Sequence, residues 1–241
     1  MWDIAWLHGR DGAADHRGPR HRARGSAVPA LERTTPRVHE NLQKLPQAQR
    51  RARAAQNRGV PLCRRFTVCV PRLPALVAGA DFSFFGHSNG ALVAYACTQR
   101  LERLGARLPR HVFLSGKKPP NGPPRRDSEL SDPEFVRFLT DLGGMPQKVV
   151  ANDELIELCL PIIRADMKVG ESFRPHGRLG LATPVSVLGG AQDNDTTRET
   201  LDGWREFCHS VQRVELLPGD HFFLTQHRDY IADLMKASLA A

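Results

Sequence analysis

Cysteine is scarce and scattered in this chain of 241 residues: five, at 63, 69, 97, 159 and 208, with no C-x-x-C pair. That spacing speaks against a zinc site or a disulfide framework, and for reduced thiols in a cytoplasmic setting. No apolar run approaches the roughly 20 residues needed to span a bilayer, so no membrane association is expected. The N-terminus lacks a basic segment followed by an apolar stretch, so no secretory signal is expected either. No internal repeat is visible. Acidic residues are thin in the first third: residues 1–80 hold 15 Lys and Arg against 5 Asp and Glu, a balance of +10. Residues 81–241 hold 19 against 21, a balance of −2, so the net charge of +8 belongs to the N-terminal segment alone.

That segment, residues 1–80, also lacks periodicity. RGPRHRARGS and QRRARAAQNR repeat arginine, glycine and proline without helical or strand spacing, and only Phe66–Val70 reads as a strand. A basic arm without interleaved aromatics carries no nucleic-acid motif, so nucleic acid is not an expected partner. Three origins stay open for it: a displaced reading frame, a disordered arm, or a divergent folded half.

From residue 81 onward the chain alternates regularly. Phe82–Phe85, His111–Ser115, Pro184–Leu188 and Val211–Leu217 are short apolar runs suited to buried strands. Helical spacing falls between them, over Ala91–Leu104, around Thr197–Cys208 and over Tyr230–Leu239. Ser131-Asp132-Pro133-Glu134 forms a capping box ahead of Phe135, Phe138, Leu139 and Leu142 at i, i+3, i+4, i+7. Asn152 caps a second segment, Glu154–Leu160, expected to stop at Pro161. Strands alternating with helices predict an α/β fold, a parallel sheet with helices on both faces, over residues 81–241. The helical insertion, about residues 117–180, is expected to cover the carboxyl edge of the sheet as a lid.

Gly86-His87-Ser88-Asn89-Gly90 matches G-x-S-x-G, directly after a strand and directly before a helix. In that context the serine occupies a strained turn with its hydroxyl exposed, and the glycines let the flanking backbone pass closely. A serine hydroxyl needs a general base oriented by a carboxylate, in the chain order serine, acid, histidine for this arrangement. Asp193 follows the third strand and His221 the fourth, which makes Ser88, Asp193 and His221 the candidate triad. Asp195, two residues on, is the other candidate acid; Asp193 is favoured because it lies nearer the strand end. Asp220 is a second carboxylate beside the base and able to tune it. His87 reads as packing at the elbow, and His209 and His227 as surface residues. One oxyanion donor would be the backbone N–H of Asn89. For the second, Gly9 in WLHGRDG is the nearest candidate in residues 1–80.

FFGHSNGALVAYA, HVFLSGKKPP, LSDPEFVRFLTDLGGMP, ELCLPIIRAD, PVSVLGGAQD and LPGDHFFL resemble the type II thioesterases of polyketide and nonribosomal peptide assembly lines, over about residues 81–239. The resemblance implies an α/β-hydrolase fold with a mobile lid, and places Ser88, Asp193 and His221 on the triad positions. It implies cytoplasmic hydrolysis of acyl thioesters on the phosphopantetheine arm of carrier proteins, as an editing step in antibiotic biosynthesis, with no metal or other cofactor. Phe135, Phe138, Leu139, Leu142, Leu155 and Leu158 would then line an apolar acyl pocket. The chain departs from the family at three points. The family more often has Met or another apolar residue where Asn89 stands, and Gly where Asp220 stands. It also begins with a strand and a glycine-rich loop that are not recognisable in residues 1–80. The runner-up reading is therefore a catalytically impaired hydrolase that binds carrier protein or acyl chains.

Overall fold

The computed structural model describes residues 4–8, 81–122, 125–145, 147–180 and 182–240. The chain divides into two units, residues 1–9 with 61–241 and residues 10–60, and every described residue belongs to the first. Phe66–Val70 lies outside the described residues.

Among the described residues, five strands form one sheet in chain order: β1 (Ile4–His8), β2 (Phe82–His87), β3 (His111–Ser115), β4 (Val185–Gly190) and β5 (Val211–Leu217). β2 to β5 are parallel, with their carboxyl ends on one edge. β1 pairs antiparallel with β2, Ile4 opposite Gly86 and His8 opposite Phe82. The helices among the described residues are α1 (Asn89–Arg103), α2 (Asp132–Asp141), α3 (Gln147–Val150), α4 (Asp153–Glu171), α5 (Arg198–Asp202) and α6 (Arg228–Ala240). The expected α/β fold is present, and β1 is a strand that the composition of residues 1–80 did not announce. No helix among the described residues is long and apolar enough to cross a membrane.

The period-two side-chain alternation of a strand divides the core in two. Phe82, Phe84, Val112, Leu114, Val185, Val187 and Val214 point to one face, where Leu92 and Tyr95 of α1 and Trp204 cover them. Phe85, Phe113, Leu188 and Leu217 point to the other, against Ile231 and Met235 of α6. At roughly 1.5–3 kcal/mol per large side chain buried, the two layers hold the sheet and fix its register.

The insertion after β3 has its own small core of Phe135, Leu139, Met145 and Leu160, joined by Ile156, Ile163 and Met167. The capping box at Ser131 and Glu134 opens α2, and Asn152 caps α4 by accepting from Leu155 N. The expected stop at Pro161 does not occur, because α4 runs through it to Glu171. Proline in a helix interior costs about 3 kcal/mol. Ile156, Leu160, Ile163 and Met167, spaced 4, 3 and 4 apart along one face of α4, bury enough apolar surface to offset it.

Candidate active site

β2 delivers its last residue, His87, to a turn whose backbone is forced. Ser88 sits at φ 54° and ψ −126°, the only non-glycine residue at positive φ among those described. Such a conformation costs on the order of 1–3 kcal/mol and persists only where neighbours impose it. Here Ser88 N donates to the carbonyl of Ser115 at 2.8 Å and the Ser88 carbonyl accepts from Ala91 N at 3.0 Å. Gly86 is required because a Cβ there would lie 2.1 Å from the Gly90 carbonyl oxygen. The strand-to-helix turn is therefore as sharp as the sequence pattern implied.

The acid and base arrive on two loops fastened together. After β4, Ala191 N donates to Leu217 O at 2.8 Å and Gln192 N to Gly219 O at 2.9 Å. Gly190 permits this approach, since a Cβ there would stand 2.1 Å from the Asp220 carbonyl oxygen. The result is a 2.8 Å hydrogen bond from His221 Nδ1 to Asp193 Oδ2, between two buried side chains. Asp193 also accepts from Thr196 Oγ1 at 2.9 Å and Asp195 N at 3.0 Å. Burial alone would raise its carboxyl pKa; the donated bonds, His221 foremost, hold it below the ordinary value. Bonding Nδ1 to the carboxylate leaves Nε2 as the free lone pair of the imidazole.

Asp195, the alternative acid, is turned elsewhere: both its oxygens accept from Arg125 Nη1, at 2.5 and 2.6 Å. Asp220 accepts from Phe222 N at 2.8 Å and so shapes the turn that carries His221. His227 ties back to the Pro218 carbonyl at 2.8 Å, and His209 is exposed. His87 is buried, with Nδ1 3.0 Å from Ser115 Oγ and its ring centroid 5.0 Å from that of His221. Burial, then the neighbouring His221, pushes its pKa down to about 3, so it is a neutral ring supporting the base. Among the described residues no cluster of His, Cys, Asp and Glu could hold a metal ion.

Ser88 and His221 open into one cavity of about 130 Å³. Of the six apolar residues expected to line it, Phe138 and Leu142 do. Phe135 and Leu139 instead fill the lid's own core. Leu155 and Leu158 are 39% and 65% exposed, on the side of α4 away from that core. The wall is more polar than expected: Lys117, Arg125, Glu171 and Asp195 face the same space as Leu92, Met167 and Phe173. Lys117 Nζ donates to Asn89 Oδ1 at 2.9 Å, and burial pulls its pKa down to about 8. The Lys117-Lys118 pair directly after β3 was the one sequence signal for this wall.

The amide of Asn89 is the first N–H of α1, one of those that a helix leaves without an intrahelical acceptor, and it borders Ser88. Gly9, the expected second donor, lies outside the described residues.

A family model for the thioesterase domain matches residues 76–239. The chain is 32% identical over 163 residues to a Brevibacillus parabrevis protein named linear gramicidin dehydrogenase LgrE, covering 66% of this chain and 62% of that one. It is 35% identical over 149 residues to a probable cadicidin biosynthesis thioesterase of Streptomyces griseus, covering 61% and 41%. The chain thus spans less than two thirds of either curated relative. Among solved structures, RedJ, a thioesterase from the prodiginine biosynthetic pathway in Streptomyces coelicolor, superposes with a TM-score of 0.67 at 31% identity, covering 74% of this chain and 72% of that one.

Proposed function

The chain belongs to the thioesterase domain family, and from that premise we propose that it hydrolyses acyl thioesters borne on the phosphopantetheine arm of carrier proteins, as an editing enzyme of polyketide or nonribosomal peptide synthesis. The observation that carries the reading is that strained Ser88 and His221, itself bonded to Asp193, open into one cavity. Relatives named for antibiotic-type pathways support the pathway class.

The reaction uses the chain's own groups and water. Ser88 Oγ attacks the thioester carbonyl while His221 Nε2 takes its proton, and Asp193 stabilises the imidazolium that forms. The Asn89 N–H faces the oxyanion. Collapse breaks the C–S bond, and His221 returns the proton to the departing thiolate, leaving an ester on Ser88. Water then attacks that ester with His221 again as base, releasing the free acid and Ser88. The dehydrogenase name of one relative does not transfer. This sequence contains no G-x-G pair, hence no dinucleotide-binding fingerprint, and the turn after β2 presents a serine instead.

The test is release of acid from an acylated holo-carrier protein by the full chain and by Ser88→Ala. Loss of at least about 10³-fold in Ser88→Ala is expected. Equal rates for the two proteins would remove the hydrolase reading and leave the impaired, carrier-binding one.

A further inference from the structure

The side chain of Asn89 has partners that the role of its backbone does not explain. It is buried, and its Nδ2 donates to the carbonyl of Asp166 in α4 at 2.9 Å. Its Oδ1 accepts from Lys117 Nζ at 2.9 Å. With the ammonium on the oxygen, the amide nitrogen is the end that must face the helix. One turn beyond Asp166 stands Gly170, where a Cβ would lie 2.0 Å from Asn89 Oδ1 and 2.7 Å from its Cγ. Glycine weakens a helix relative to alanine, and Gly170 has no positive φ to justify it. Its reason is the close approach: α4 carries a notch, and the Asn89 amide fills it.

The same stretch of α4 forms part of the cavity wall. Met167, Gly170 and Glu171 line it together with Ser88. A cavity of about 130 Å³ is slightly smaller than one of about 150 Å³ that holds benzene. Moving α4 away from the elbow would lengthen that space along an already partly apolar wall of Leu92, Phe138 and Phe173.

We propose that the Asn89 side chain is a positioning residue: held by Lys117 and seated in the Gly170 notch, it fixes the height of α4 above Ser88 and so sets how the site discriminates acyl groups by length. The proposal rests on thioester hydrolysis at Ser88. Asn89 thereby joins the nucleophile turn and the acyl-pocket wall in one residue, its backbone on the reacting side and its amide on the lid.

The experiment compares kcat/KM for propionyl and octanoyl thioesters of N-acetylcysteamine in the full chain, Asn89→Ala and Gly170→Ala. The first variant cuts the tie; the second fills the notch and forces α4 off the amide. Both should raise the octanoyl-to-propionyl ratio by about tenfold, the scale on which a pocket discriminates by methylene count. A general loss of stability would lower both substrates together and leave the ratio alone. Gly170→Ala carries the test if Asn89→Ala does not fold. A ratio that changes by less than about threefold in the folded variants, with hydrolysis still dependent on Ser88, overturns this proposal alone. Hydrolysis of neither substrate above the Ser88→Ala level overturns the hydrolase reading, and this proposal with it.

Discussion

Replacing Asp193 with asparagine should disable the site without unfolding it, and replacing Asp195 should not. The Asp193 carboxylate accepts three hydrogen bonds, from His221, Thr196 and the Asp195 amide, at 2.8 to 3.0 Å. Asparagine keeps the shape but offers an N–H where His221 Nδ1–H needs an acceptor. The imidazole then favours the other tautomer and presents a proton, not a lone pair, to Ser88. Changes of this kind lower kcat on the order of 10⁴-fold, or about 5.5 kcal/mol of transition-state stabilisation. Asp195 is 37% exposed and paired with Arg125, which keeps Asp127 as a second partner. Losing such a pair costs about 1 kcal/mol or less, and activity should fall by less than about tenfold. The assay is steady-state hydrolysis of a propionyl thioester, with thermal unfolding of each variant as a control for folding. Asp195→Asn falling as far as Asp193→Asn, or Asp193→Asn losing less than tenfold, would refute the assignment of the acid.

Two further outcomes concern the scaffold. Gly86→Ala places a Cβ against the backbone oxygen of Gly90, where no side-chain rotation relieves it. It should destabilise the domain by about 3 kcal/mol or more, read as a lower denaturant midpoint; an unchanged midpoint would mean that the elbow is looser than described. Acid should weaken the fold through two buried imidazoles. Unfolded, both titrate near 6.5; folded, burial holds His87 at about 3 and His111 at about 4. Below pH 6.5 the unfolded chain takes up protons that the folded one refuses, so this stability is whole above 6.5 and drains as pH falls towards 4. At pH 5 each histidine should have withdrawn about 2 kcal/mol. Urea midpoints at pH 7 and pH 5 measure the loss, which His111→Gln should reduce; identical midpoints at the two pH values would contradict it.

The parts of this architecture that were legible in sequence are those written in short-range patterns. The Phe82–Phe85 run, the two glycines around Ser88 and the helical spacing after it specify an elbow locally. The order of strand ends brought out Asp193 and His221 because each loop directly follows an apolar strand. Choosing between Asp193 and Asp195 needed three dimensions: two carboxylates two residues apart differ only in whether His221 or Arg125 faces them. The end of α4 differs from the expectation because Pro161 is a local penalty, offset by apolar contacts with residues of α2 and the segment after it. Leu155 and Leu158 share the composition of pocket residues but lie on the outer side of α4, since the helix is turned by Leu160 and Ile163. β1 could not be seen at all, because five residues in an aperiodic basic segment become a strand only by pairing with β2. The amide of Asn89, likewise, shows its partners only once the lid is folded over it.

The central claim is that Ser88 carries the acyl group between two half-reactions. The most direct measurement is peptide-resolved mass spectrometry of the protein quenched in acid during turnover of a propionyl thioester. An added propionyl mass on the peptide containing Ser88, absent in Ser88→Ala and persisting longer in Asp193→Asn, is the predicted result. Turnover with no such adduct on Ser88, or the same adduct on another residue in the Ser88→Ala protein, would contradict it.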